Sequence, residues 1–143
     1  MILVSACLMG ENCKYSGGNN ASPQLIAYLQ DKEYVMVCPE QLGGLPTPRL
    51  SSEIVNGRVM NTAGEDVHEA FLKGAEKTLE IAVKHQCELC ILQDRSPSCG
   101  VGRVYDGTFQ KRLIEGDGIT AQRLKEHGFK VIGSEEFIAL IGK

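Results

Sequence analysis

The chain has 143 residues, 15 Lys and Arg against 18 Asp and Glu for a net charge of −3, and 43% hydrophobic residues. That length suits one domain, 1–143, with one core, since two halves would each be undersized. A weakly acidic chain without a basic stripe is not built to neutralise phosphates, and no stretch nears the roughly 20 apolar residues of a membrane span, so neither nucleic acid nor membrane is an expected partner.

Ile2-Leu3-Val4-Ser5 reads as a first strand, too short and without the basic flank of a signal peptide, so a cytoplasmic location is expected. A Gly/Asn-rich loop follows from Gly10 to Asn20, and Ser22-Pro23 then opens a short helix to about Gln30, with serine as N-cap and proline in the first turn. Tyr34–Val37 form a second strand that ends at Cys38-Pro39. The two glycines and two prolines of Gly43–Pro48 exclude regular structure. Ile54–Met60 is a hairpin turning on Asn56-Gly57. Asp66, with Glu69 three residues on, is expected to cap the longest helix, whose apolar positions Val67, Phe71, Ala75, Leu79 and Ala82 share one face.

Leu89–Leu92 make a third strand leading into Ser96-Pro97-Ser98-Cys99-Gly100. A loop containing Tyr105-Asp106-Gly107-Thr108 comes next. Thr120 is expected to cap a helix running through Glu126, Phe129–Ile132 to form a fourth strand, and Ser134 to open a terminal helix. Strands alternating with helices imply βαβ units. The expected fold is therefore α/β: a three-layer α/β/α sandwich with a mainly parallel, Rossmann/flavodoxin-like sheet and a small hairpin.

In such sheets, ligands sit beyond the carboxyl ends of the strands. Cys7, Cys38 and Cys99 follow the first three strands, so residues far apart in sequence are delivered to one edge. In a reducing compartment the six cysteines are more naturally metal ligands, catalysts or core residues than disulfides. Cys90 lies inside a strand and Cys87 just before it, and their Cys-x-x-Cys spacing is better read as packing, because a redox pair follows a strand at a helix start. Cys13 shares the first loop and is a spare candidate. On residue type and position alone, a metal site and a reactive-thiol site are both open.

Ser5-Ala6-Cys7-Leu8-Met9-Gly10, Cys13-Lys14-Tyr15-Ser16-Gly17-Gly18, Val37-Cys38-Pro39-Glu40, Gly43-Gly44-Leu45-Pro46-Thr47-Pro48-Arg49, Ser96-Pro97-Ser98-Cys99-Gly100 and Tyr105-Asp106-Gly107-Thr108-Phe109 stand in an order that resembles the thiouracil desulfidase (TudS-type) family. The resemblance runs from residue 2 to about 136. Met9, Ser16 and His68 depart from the family pattern, where Leu, Asp and Thr are more usual. The resemblance implies a 4Fe–4S cluster held by Cys7, Cys38 and Cys99, and removal of sulfur from a thiolated nucleobase such as 2-thiouracil to give uracil and sulfide. Three thiolates on a cubane leave one iron without a cysteine, free to act as a Lewis acid on a soft sulfur without redox change.

Activation of water then needs a base and a proton relay. Glu40, a carboxylate two residues after Cys38 in a dry pocket, is the expected base, and Ser96 the relay, although Glu40 equally suits a turn cap and Ser96 a helix cap before Pro97. Ser98, Asn19, Asn20, Arg49 and Asp106 are polar loop residues suited to reading a base edge, although each also suits a turn or cap. Two other functions fit the same cysteines: a non-catalytic iron–sulfur module with Cys13 as fourth ligand, and a cluster-free thiol enzyme carrying persulfide on Cys99.

Overall fold

The central strands are apolar almost throughout, and because successive side chains point to opposite faces each inner strand feeds two cores. In the computed structural model, which describes residues 1–142, β1 (Ile2–Ser5), β2 (Tyr34–Val37), β5 (Leu89–Leu92) and β8 (Val131–Gly133) form one sheet in the order β2-β1-β5-β8. All neighbours are parallel, with Leu3 opposite Val35 and Cys90, and Cys90 opposite Val131. Ile2, Val4, Ile91 and Ile132 face one layer, where they pack with Leu25 and Leu29 of α1 (Pro23–Leu29) and Phe137 of α5 (Ser134–Ile141). Leu3, Val37, Cys90 and Leu92 face the other, against Leu79 and Ala82 of α3 (His68–Lys84) and Ala121 and Leu124 of α4 (Ile119–Glu126). The period-2 pattern thus builds the expected three layers.

Two antiparallel hairpins lie outside the sheet: β3 (Ser52–Val55) with β4 (Arg58–Asn61), and β6 (Arg103–Tyr105) with β7 (Leu113–Glu115). The first was expected from Asn56-Gly57. The second was not, because its strands have three residues each and the connection between them is long.

The helix ends shift by one or two residues for local reasons. Asp66 stands two residues ahead of α3, and its Oδ1 accepts the His68 N–H at 2.9 Å from outside the helix. Gly118, not Thr120, is the N-cap of α4, and the Thr120 hydroxyl instead meets that of Ser98 at 2.7 Å. The fourth strand starts at Val131, two residues later than expected, because the Phe129 N–H still caps the preceding helix through the Leu124 carbonyl.

One further element matters for the site. Residues Pro39–Leu42 form a single helical turn, α2, immediately after Cys38. It lies against α3 with almost no space between backbones: a Cβ on Gly43 would stand 2.0 Å from the Ala70 carbonyl oxygen, and one on Gly74 1.9 Å from that of Pro39. Glycine at both positions permits the crossing, which anchors the segment carrying Cys38 and Glu40.

Candidate active site

Because the four sheet strands are parallel, their carboxyl ends share one edge, and the order reverses there: β2 lies to one side of β1 and β5 to the other. This is where open α/β sheets hold ligands. A cavity of about 400 Å³ opens at this edge, lined by Cys7, Cys13, Cys38 and Cys99 among other residues. Cys87 and Cys90 are elsewhere, packed with Leu3 and Leu92 in the core.

The cavity cysteines come from three loops, Cys7 and Cys13 sharing the one after β1. Cys7 sits in a 3-10 turn, Ala6–Met9, closed by Gly10 in the left-handed region at φ +97°. Its carbonyl accepts the Asn20 N–H at 3.0 Å, and the Asn20 amide nitrogen lies 4.0 Å from the Cys7 sulfur. Cys38 is the N-cap of α2, with Pro39 supplying the first helical position. Its thiol points at the Cys13 carbonyl, 3.7 Å away. The Cys99 N–H donates to Ser96 Oγ at 2.6 Å, and that of Ser98 to the same oxygen at 3.2 Å, so Ser96 shapes the turn that presents Cys99.

Cys13, Cys38 and Cys99 hold their protons tightly. The contact with Cys13 and then burial push Cys38 far above the ordinary thiol range. For Cys13 the Cys38 contact acts downward, but the Cys7 contact and burial outweigh it and leave the thiol at about 11. Burial pushes Cys99 up to about 12, against a hydrogen bond from Ser5 that acts downward. Cys90, in the core, is pushed to about 12 by burial with no such network. Sulfurs crowded this way repel when ionised, and a cationic centre among them would relieve that repulsion. Among the described residues no three His, Cys, Asp or Glu side chains converge to hold a single metal ion. A polynuclear cluster imposes no such convergence, because its thiolates bind different irons. Four soft thiols lining one cavity fit a cluster of that kind.

Glu40 and Arg49 form an ion pair in the cavity wall, their side chains 19% and 7% exposed. The Arg49 guanidinium also donates to the carbonyls of Cys13 at 3.0 Å and Pro46 at 3.1 Å and to Thr47 Oγ1 at 3.1 Å, so it ties the Cys13 loop to α2. Asn20, Arg49, Ser96 and Ser98 all line the cavity. Asn19 and Asp106 are not among its lining residues. Asn19 bonds Asn12 and the Ala21 N–H, and Asp106 accepts from the amide and hydroxyl of Thr108. The wall also contains Tyr15, Glu53, Asp94, Arg95, Tyr105 and Phe109, none of which was assigned a role from the sequence. Glu53 had no signal there, being one acidic residue in a hairpin strand. The Asp106-Gly107-Thr108 turn signal does place Phe109 at a loop tip.

This chain is similar to known proteins both in sequence and in structure. The uncharacterised protein YbbK of Bacillus subtilis (strain 168) is 42% identical over 146 residues, covering 95% of this chain and 97% of YbbK. The solved structure of the 4Fe–4S-dependent thiouracil desulfidase TudS superposes with a TM-score of 0.89 at 36% identity, over 98% of this chain and 95% of that one. Residues 2–136 match the 2-thiouracil desulfurase family as a whole, and with the shared fold this makes the chain a member of that family.

Proposed function

We propose that this chain is a cytoplasmic desulfidase that hydrolyses the C=S group of a thiolated nucleobase, 2-thiouracil or a close relative, to C=O with release of sulfide. The observation that carries the proposal is the convergence of thiols from the loops after β1, β2 and β5 on one cavity, with Glu40 and Ser96 in the same wall. In this reading Cys7, Cys38 and Cys99 are the cluster ligands. When bound, a 4Fe–4S cluster with one iron free of cysteine supplies a thiophilic Lewis acid that polarises the carbon–sulfur bond.

The chain's own groups manage water and protons. Glu40, as the carboxylate of its pair with Arg49, accepts a proton from the attacking water, and Arg49 holds it in the wall. Ser96 Oγ already accepts two backbone N–H groups. A hydroxyl has two acceptor sites and one donor, so its remaining capacity is the O–H proton, which suits donation toward charge developing in the cavity. Asn20 steadies Cys7. Asn20, Arg49 and Ser98 line the space that the base enters. Water adds at carbon, the C–S bond breaks, and carbonyl and sulfide are formed with no electron gained or lost.

Anaerobically reconstituted protein should therefore convert 2-thiouracil to uracil and sulfide without added reductant. Glu40→Gln should keep iron but slow turnover about a hundredfold, the scale of losing a general base, and Ser96→Ala less. Unchanged turnover in Glu40→Gln would remove Glu40 as the base, and an absolute need for reductant would remove the hydrolytic scheme.

A second reading rests on Cys13, which lines the same cavity as Cys7, Cys38 and Cys99. With Cys13 as a fourth ligand every iron would carry a cysteine, and the protein would be a non-catalytic cluster module. Iron retention with no turnover of any thiolated base would favour it.

A further inference from the structure

The cavity is graded from base to mouth. Cys7, Cys13 and Cys99 are buried, whereas Tyr15, Leu50 and Phe109, which line the same space, are 48%, 50% and 37% exposed. Phe109 reaches that position on the connection between β6 and β7, whose backbone is held in an unusual form. Gly107, Phe109 and Lys111 all lie in the left-handed region, at φ +92°, +59° and +58°. A non-glycine residue there is disfavoured sterically, and two in one loop persist only if neighbours hold them.

The neighbours that hold this loop are identifiable. Asp106 Oδ1 accepts the Thr108 amide at 2.9 Å and its hydroxyl at 2.6 Å. Glu53, buried in β3 and also lining the cavity, takes the N–H groups of Gly107 and Phe109 on a single oxygen, Oε1, at 3.0 and 3.1 Å. The loop is seated closely on that strand: a Cβ on Gly107 would lie 2.6 Å from the Ile54 carbonyl oxygen. Among the described residues Glu53 has no ion-pair partner. A carboxylate removed from water without a counter-ion is costly unless hydrogen-bonded, and here the bonds it makes are the two loop amides.

We propose that Phe109 is a substrate-positioning residue, its ring stacking on the flat heterocycle at the cavity mouth, and that Glu53 is the positioning residue that holds the Phe109 loop there. This rests on the desulfidase reading, which supplies the planar ligand. An aromatic ring lining the same cavity as the thiols would select aromatic heterocycles over open-chain thiocarbonyls such as thiourea, because stacking is lost with the ring.

The test compares reconstituted wild type with Phe109→Ala, Phe109→Tyr, Glu53→Ala and the double alanine variant on 2-thiouracil. Phe109→Ala should raise KM about tenfold, the scale of one base–aromatic stack, with a much smaller fall in kcat, and Phe109→Tyr should restore it. Glu53→Ala should raise KM by a similar factor, speed hydrogen exchange at the Gly107 and Phe109 amides, and add nothing to Phe109→Ala in the double variant. The exposed Phe109 change leaves the fold intact even if Glu53→Ala does not fold. Active wild type with an unchanged KM in Phe109→Ala would overturn the stacking proposal alone. Additive effects in the double variant would overturn the role of Glu53. Wild type loaded with iron but inactive on thiouracil would overturn the desulfidase reading and, with it, the ligand assigned to Phe109.

Discussion

A thiol must lose its proton to bind iron, and Cys13, Cys38 and Cys99 all hold theirs above the ordinary range through burial and mutual contact. A cationic centre bound among these thiols would offset that cost, and each proposed ligand should consequently matter to metal retention. Serine at Cys7, Cys38 or Cys99 is expected to abolish iron binding, measured as iron per chain after anaerobic reconstitution. Cys90→Ser, in the core with no exposure, should cost stability and not iron. Cys13→Ser should retain iron. If it loses iron while Cys7→Ser keeps it, the ligand in the first loop is Cys13. Sequence position brought all four residues to one edge of the sheet but did not separate Cys7 from Cys13, because the short turn and loop between them carry no periodicity from which a direction could be read.

At the scale of elements, the site depends on a contact remote from the chemistry. α2 carries Glu40 and follows directly on Cys38, and it is held by its close approach to α3 at Gly43 and Gly74. Gly74→Ala, with φ compatible with alanine in a helix, would improve local propensity. It would also drive a Cβ into the Pro39 carbonyl, an overpacking cost on the order of 2–3 kcal/mol. Thermal unfolding should show the loss, and iron affinity should fall with it as Cys38 is displaced. A more stable Gly74→Ala protein would mean that α2 moves freely and does not fix the site. The four strands of the central sheet and the four helices longer than one turn were legible from short apolar runs, caps and glycine stops. α2 was not, because four residues fall short of the period that marks a helix. Nor was the β6–β7 hairpin, whose strands of three residues leave no alternation to follow.

For the whole molecule, the parallel sheet turns sequence-distant loops into one cavity, and the order β2-β1-β5-β8 places the β1 and β5 loops at its centre. That consequence follows from alternating strand and helix signals alone. The pairing of Glu40 with Arg49 and the hold of Glu53 on the Phe109 loop do not, since each ties a short element to an irregular segment through a side chain. Asn19 and Asp106 illustrate the same limit, being polar loop residues engaged in local turns away from the cavity lining. The most direct measurement of the central claim is made on one anaerobic sample: iron and acid-labile sulfide per chain, together with uracil and sulfide formed from 2-thiouracil in the absence of reductant. The account predicts about four irons per chain and one uracil with one sulfide for each thiouracil consumed. Turnover by iron-free protein, or a full complement of iron with no turnover, would contradict it.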